Sequence, residues 1–311
     1  MKRFLHVLLS AAATLLAIAF LTFFLMKLVP GGPFDGDKAV PPEVLASLNA
    51  KFRLDLPWYE QFYLYLRDFV LHFDMGPSIK YLGRSVREIV QESFPVSFEL
   101  GCYALVIAIV VGISFGVLAA AFRGTWIDFT SMILAISGVS LPSFLVAALA
   151  ILVFAQTFNW FPAALWDGAE YKVLPSIVLG LRPAAIIARM TRSSVLEVLY
   201  LDYVRTAKAK GLTPFRVLMV HVLRNAFLPI LTVLGPMSAT VLTGSFIIEH
   251  VFSIPGLASH FIQAVNNRDY PLVMGVTILY AAMLVFINVA VDLLYGWVDP
   301  RIRLSSKEEG P

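Results

Sequence analysis

Residues 100–122, LGCYALVIAIVVGISFGVLAAAF, contain no Asp, Glu, Lys or Arg. A helix that spans the hydrocarbon core of a bilayer needs about 20 apolar residues, so this stretch is long enough to cross a membrane. Further charge-free runs of span length lie at 4–26, 129–166, 225–248 and 270–291. The chain is therefore expected to have lipid as its main solvent.

The composition of the whole chain agrees with these runs. Of 311 residues, 59% are hydrophobic and only 14% are charged, whereas a soluble domain carries about 25% charged residues. We predict an all-α polytopic membrane protein with six transmembrane helices, the fourth of which is interrupted by Arg182-Pro183. The six predicted spans are 5–28, 98–121, 131–157, 173–190, 226–248 and 271–295.

The distribution of Lys and Arg predicts which loops face the cytoplasm, because short cytoplasmic loops are enriched in both. The loop 189–224 carries seven basic residues against two acidic ones, while 158–172 and 249–270 each carry a single basic residue. Both termini are therefore expected in the cytoplasm. The first apolar run is long for a cleaved signal peptide, which favours retention as an anchor helix.

The pattern along the chain predicts four parts. They are an N-terminal anchor helix (1–29), an extracytoplasmic helical segment (30–94), a transmembrane core (95–298) and a cytoplasmic tail (299–311). Near the end of the second part, apolar residues recur at helical spacing after Ser85. This predicts a short amphipathic helix that lies in the membrane interface before the second span.

The basic loop has the pattern of two helices joined at a glycine. Apolar residues at helical spacing continue to Ala207 and end at Gly211, a typical residue just after a helix. Thr213-Pro214 then reads as the N-cap and first residue of a second helix, which is expected to run to Pro229, where the fifth span begins with a kink or break. One stripe of that helix carries Phe215, Leu218, Met219, Val222 and Ala226. We therefore predict a helical elbow at 189–226.

The tip of this elbow, YVRTAKAKGL at 203–212, resembles the EAA loop of ABC importer permeases, with Pro229 eighteen residues after the glycine. Arg205 stands where that family usually has an acidic residue, and this form is similar to the peptide-type subfamily. Six further stretches resemble the same subfamily: 28–34, 75–78, 93–97, 254–257, 267–271 and 298–301. The resemblance covers essentially the whole chain.

The resemblance implies a type I ABC importer permease fold and a division of labour in the bacterial cytoplasmic (inner) membrane. A second homologous permease subunit completes the path, and two ATP-binding cassette ATPases bind ATP and Mg. An extracytoplasmic peptide-binding protein delivers the substrate. Membrane lipid is the remaining partner, and nucleic acid is not one. The elbow becomes the coupling helix that docks on an ATPase through Arg205, Thr206, Ala207, Lys208, Ala209, Lys210, Gly211 and Leu212.

Catalytic and metal-binding motifs are absent from the sequence. No Gly-Lys dipeptide occurs, so a phosphate-binding P-loop is excluded, and neither His-Glu-x-x-His nor Cys-x-x-Cys is present. The single Cys102 lies inside a predicted span. We therefore expect a non-catalytic subunit with no cofactor or metal of its own.

Two residues are candidates for the substrate path. Arg182 is a costly charge at membrane depth, so it either faces a water-filled cavity that attracts a peptide carboxylate, or snorkels or pairs with Glu99. Ser245 follows two small residues, Thr243 and Gly244, and lies either on the path or in a close helix contact.

Other functions remain as alternatives. The subfamily handles dipeptides, nickel chelates and glutathione as well as oligopeptides, and the stretch 73–81 favours the oligopeptide branch. A stand-alone secondary transporter should show an inverted repeat and several acidic residues at mid-membrane depth, which spans two, three and five lack. An intramembrane hydrolase using Ser245 would need a His base within another span, and all five His lie at or outside the predicted boundaries.

Overall fold

The computed structural model describes residues 2–34 and 41–298, where the regular structure is helical apart from an isolated β-bridge between Pro77 and Ser85. The α-helices are α1 (Lys2–Leu28), α2 (Pro42–Lys51), α3 (Trp58–His72), α4 (Val86–Ala121), α5 (Trp126–Ser140), α6 (Ser143–Ala150), α7 (Ala169–Leu199), α8 (Asp202–Ala209), α9 (Pro214–Arg216), α10 (Leu223–Leu242), α11 (Phe246–Val251), α12 (Leu257–Asn266) and α13 (Tyr270–Val298). Two π-helical segments, π1 (Ile151–Thr157) and π2 (Val217–Val222), follow α6 and α9. The predicted tail, 299–311, lies outside the described residues.

The all-helical polytopic fold is confirmed. Among the described residues, five helical stretches are long and apolar enough to cross a membrane: α1, α4, α7, the stretch from α9 to α11, and α13. A sixth span is obtained when α5 and the stretch α6–π1 are counted together, although these two are bent by 111°. The third predicted span is therefore not a straight helix.

The bend in the third span has a local cause. Leu141 has an extended backbone (φ −86°, ψ 136°), and it precedes Pro142 in the sequence. A proline disfavours the helical conformation of the residue before it, so α5 ends here and a new helix begins at Ser143. The charge-free run 129–166 does not indicate this break, because hydropathy shows how long an apolar stretch is but not whether its helix changes direction.

The fourth span is continuous, although Arg182-Pro183 was expected to interrupt it. Helix α7 runs from Ala169 to Leu199 with Pro175 and Pro183 inside it. In a membrane helix, neighbouring helices and local adjustments compensate for the hydrogen bonds that proline removes. Both prolines are buried, so the backbone around each of them packs against protein.

The short interfacial helix predicted after Ser85 is instead the first part of α4, which continues through Pro95 to Ala121. Its apolar stripe is covered by protein, since Val86 and Ile89 are at most 1% exposed and pack in one cluster with Leu257 and Leu272. This stripe therefore contacts α12 and α13, where lipid contact was expected.

The chain divides into two compact units. Of the described residues, unit 1 comprises 2–34, 41–97 and 255–285, and unit 2 comprises 98–254 and 286–298. Unit 1 contains α1, α2, α3 and α12, and unit 2 contains the helices from α5 to α11. Helices α4 and α13 each contribute to both units.

The stretches of unit 1 that resemble peptide permeases contact one another. Asp269 is fully buried and accepts hydrogen bonds from the Ser78 hydroxyl and from the Lys80 backbone N–H (3.1 Å). Arg268 donates to the Gly32 carbonyl at 3.2 Å, and the Leu257 N–H donates to the Ser97 hydroxyl at 2.8 Å. These motifs therefore act as structural ties that join the segment before α4 to the start of α13.

The side chain of His260 contacts a tyrosine. Its Nδ1 lies 3.1 Å from the hydroxyl of Tyr81, which in turn donates to Gln263 Oε1 at 2.7 Å. Burial lowers the pKa of His260. In the part of the chain that the structure describes, no three His, Cys, Asp or Glu side chains are grouped to hold a metal ion.

Candidate coupling elbow and transport path

The elbow of unit 2 contains one helix more than the sequence predicts. Helix α7 ends at Leu199, and Leu201 adopts an extended conformation (φ −72°, ψ 148°) before α8 begins at Asp202. The predicted boundary at the glycine is correct, because Gly211 has a φ of +77°, a conformation that suits glycine. Helix α8 is therefore a separate short helix held between two turns.

The second half of the elbow begins as predicted. The Thr213 hydroxyl accepts a hydrogen bond from the Arg216 N–H at 3.4 Å, and Pro214 occupies the first helical position. The helix does not end at Pro229, because α10 runs through Pro229 and Pro236 to Leu242. The second half of the elbow is thus continuous with the fifth span.

One face of α8 is fixed to unit 2 by apolar contacts. Val204 is fully buried and Ala207 is 6% exposed. They share a cluster with residues of α4, α7, π2 and α10, namely Ala120, Val195, Val217, Val222 and Ala226. Burial of this face gives α8 a defined orientation although it is only two turns long.

The opposite face of α8 is open. Of the eight residues predicted to dock, six are exposed: Arg205, Thr206, Lys208, Ala209, Lys210 and Gly211. The other two point into the protein, since Ala207 is buried and Leu212 packs against the same apolar cluster. The exposed set combines three cations with two residues small enough to allow close approach of another chain.

A polar contact joins α8 to the helix that follows it. Asn225 Nδ2 donates to the Tyr203 hydroxyl at 2.6 Å, and that hydroxyl donates to the His221 carbonyl at 3.2 Å. The exposed Arg205–Asp202 pair, at 3.6 Å, adds little because solvent screens it. Tyr203 therefore links α8 directly to π2 and α10.

The π-helical segment changes which residues of the elbow are exposed. Phe215 and Met219, predicted on the same stripe as Val222, are 71% and 42% exposed, whereas Val217 and Val222 are buried. A π-helix forms i→i+5 bonds and rotates successive side chains away from the α-helical stripe. Phe215, four residues after Gly211, is therefore an exposed apolar side chain, although the sequence predicts it on the same stripe as the buried Val222.

Two polar contacts hold the C-terminal end of α7, where the elbow begins. Arg192 of α7 forms two hydrogen bonds with Asp128 of α5, at 2.6 and 2.8 Å, and Asp128 is only 7% exposed. Arg123 donates to the Tyr200 hydroxyl at 2.7 Å. These contacts hold the end of α7, from which α8 starts, against the loop before α5.

Arg182 lies in the middle of α7 and its side chain is exposed. The expected alternative of a pair with Glu99 is wrong, because Glu99 accepts hydrogen bonds from Lys172 Nζ at 2.6 Å and from Trp166 Nε1 at 3.3 Å. Within the ranges that the structure describes, Arg182 has no ion-pair or hydrogen-bond partner.

Arg182 belongs to an uncovered polar stripe. Arg182, Arg189 and Ser193 are all exposed and follow the helical spacing i, i+7, i+11 on α7. The neighbouring helix α10 has a similar stripe, on which Asn225, Thr232 and Thr240 are exposed. The two helices pack through a shared cluster that includes Ile187 and Ile230.

Ser245 occupies a capping position. Its hydroxyl accepts a hydrogen bond from the Ile248 N–H at 3.4 Å, at the start of α11. The side chain is half-buried. A capping contact of this kind is typical of a structural serine.

Comparisons with known proteins show which protein family the chain resembles. A family model described as binding-protein-dependent transport system inner membrane component matches residues 112–304. The chain is 48% identical over 298 residues to the dipeptide transport system permease protein DppB of Bacillus subtilis (strain 168), covering 96% of each chain. It is 43% identical over 297 residues to the oligopeptide transport system permease protein OppB of Salmonella typhimurium, covering 95% of this chain and 97% of that protein.

A solved structure supports the fold. The inward-facing MetNI methionine ABC transporter contains a chain that matches with a TM-score of 0.57 and 18% identity, over 68% of this chain and 97% of that one. A similarity at this level of identity shows a shared fold and carries no statement about substrate.

Proposed function

This chain belongs to the binding-protein-dependent transport system inner membrane component family, and we propose that its α8 elbow is where an ATPase partner drives it. The chain is a permease subunit of an oligopeptide or dipeptide ABC importer in the inner membrane. It is a non-catalytic subunit, and permeases of this family bind no cofactor themselves. An importer of this kind works with ATPases, a second permease and a binding protein.

One observation supports the docking proposal most strongly: α8 is fixed on one face and open on the other. The buried Val204 and Ala207 hold the helix to unit 2, while Lys208, Ala209 and Lys210 are exposed. A partner that contacts the open face can therefore push on the buried one. Through Tyr203 and Asn225 the displacement would reach α10, a membrane span.

The chemistry of the open face suits an acidic groove. Three cations, Arg205, Lys208 and Lys210, favour a partner surface rich in carboxylates, and the small Ala209 and Gly211 permit backbone approach. Phe215, exposed beside them, adds an apolar anchor of the kind that dominates binding energy in interfaces.

The exposed polar stripe supports a place for Arg182 on the substrate path. An arginine within a span is tolerated where it faces water or the interior of an assembly. Arg182, Arg189 and Ser193 therefore favour contact with an aqueous path or with the second permease. Arg182 would attract a peptide carboxylate, and Ser245 would contribute a hydroxyl near the end of α10.

The orientation follows from this docking. If α8 meets a cytoplasmic ATPase, both termini lie in the cytoplasm, as the distribution of basic residues predicts. The segment predicted as extracytoplasmic, 30–94, would then begin on the outer face. The preference for oligopeptides over dipeptides stays a prediction, because relatives of both kinds align over nearly the full chain.

Reconstitution tests the proposed division of labour. Proteoliposomes containing both permeases and both ATPases should take up a labelled peptide when the binding protein is outside and ATP is inside. Vesicles lacking only the ATPases should show none. Uptake by this chain alone, driven by an ion gradient, would instead establish a secondary transporter.

A further inference from the structure

Helix α3 has an inward face that packs on the first and last spans of unit 1. Phe62, Tyr65, Leu66 and Phe69 contact a buried cluster formed by Ala19 and Phe23 of α1 with Met274 and Ile278 of α13. All four of these partners lie inside membrane-spanning stretches. The helix is therefore held against the spans themselves, although the sequence places it in the segment between the first two spans.

The ring contacts of Phe62 set the depth of α3. The centroid of this ring lies 5.5 Å from that of Phe20 and 5.3 Å from that of Phe23. Helix α1 ends at Leu28, so Phe20 lies about 12 Å along the axis from that end, at 1.5 Å per residue. One residue before that end, Lys27 Nζ donates to Gln61 Oε1 at 2.7 Å. The N-terminal half of α3 therefore contacts α1 about one to two helical turns before the C-terminal end of α1.

The outward surface of α3 is divided into two sectors. Tyr59, Tyr63 and Val70 are 56%, 65% and 66% exposed, and they fall within about 40° of one another at 100° per residue. Glu60 and Arg67, both exposed, are centred about 70° further round the helix, and Leu71 of the last turn, which is 66% exposed, lies beside them. Around the circumference of α3, the face that packs on protein is therefore followed by the aromatic stripe and then by the face that carries the two charged residues.

This division matches a helix in a membrane interface. Tyrosine is enriched at the boundary between lipid and water, and an interfacial helix buries its apolar face about 5–10 Å into the boundary between headgroups and acyl chains. We propose that α3 is an interfacial helix whose Tyr59, Tyr63 and Val70 contact lipid in the leaflet where α1 ends. The adjacent Glu60 and Arg67 face the headgroups and water.

Lipid is the occupant that this depth favours. Tyr59 and Tyr63 flank Phe62 in the sequence, and the Phe62 ring contacts Phe20 and Phe23, within a charge-free run of α1 that is itself largely exposed on the chain. A soluble partner reaches only the headgroup side, where Glu60 and Arg67 lie. The exposed aromatic stripe of α3, at the depth of the lipid hydrocarbon, is therefore expected to contact acyl chains.

Spin labels measure this depth directly. The complete transporter, with Cys102→Ser to remove the native thiol, is placed in lipid nanodiscs with one nitroxide at Tyr63→Cys or Val70→Cys, and Glu60→Cys is the matched control. The labels at 63 and 70 should collide readily with oxygen, which concentrates in lipid, and poorly with a water-soluble nickel complex. The label at 60 should show the reverse.

Two results would overturn the proposal. If nickel reaches the labels at 63 and 70 as readily as the label at 60, α3 lies in water. If neither reagent reaches them until the binding protein or second permease is removed, protein covers this face. Peptide uptake by the same variants is measured in parallel, so that loss of the lipid contact is distinguished from loss of transport.

Discussion

Replacing Ala209 with tryptophan is expected to reduce ATP-driven peptide uptake at least about tenfold while the chain still folds and inserts. Ala209 is exposed on the open face of α8 and has no side chain beyond Cβ. A large ring there would hold the elbow away from the ATPase groove. Overpacking a closely fitted contact costs about 1–3 kcal/mol, and each 1.4 kcal/mol corresponds to a factor of ten in affinity.

The measurement is uptake of a labelled peptide by proteoliposomes, together with co-purification of the ATPases. Ala46→Trp is the matched control, since Ala46 is an exposed helical alanine in α2, remote in sequence from the elbow. The control should keep both properties. Normal uptake by the Ala209→Trp transporter would show that α8 does not fit closely into its partner.

Replacing Arg182 with glutamine should lower uptake of peptides with a free C-terminal carboxylate by about 10- to 100-fold, the equivalent of one charge-assisted hydrogen bond of about 1.5–3 kcal/mol. The side chain is exposed in the middle of α7. Because it makes no ion pair within the described part of the chain, its removal should leave assembly intact.

Peptide chemistry provides the control for this second prediction. Uptake of the same peptide with an amidated C-terminus should fall much less, because it offers no carboxylate to lose. Arg182→Lys keeps the charge without the two-pronged geometry and should have an intermediate effect. Equal losses for free and amidated peptides would assign Arg182 to helix packing or to the permease interface.

The sequence predicts where the apolar spans lie because hydrocarbon excludes charge, although the third predicted span is a bent pair of helices. Runs such as 100–122 can therefore be recognised without any knowledge of tertiary contacts. It also predicts the turn at Gly211 and the cap at Thr213, since both depend on local backbone preferences. These features are determined by residues close together in the chain.

Features that depend on distant contacts could not be predicted. Ser78 and Asp269 are 191 residues apart, so neither stretch alone indicates their hydrogen bond. The break at Leu201 depends on burial of Val204 and Ala207 against the helices of unit 2. The difference in exposure between Phe215 and Val222 depends on the π-helical segment Val217–Val222, for which the sequence carries no pattern.

Cross-linking of α8 to an ATPase tests the central claim most directly. In a Cys102→Ser chain assembled with its partners, a short cross-linker should join Ala209→Cys to an ATPase subunit, with a yield that changes when ATP binds. Ala207→Cys, two residues away but 6% exposed, should not react. Failure of the 209 variant to cross-link in any nucleotide state, or equal yields at both positions, would contradict docking through the open face of α8.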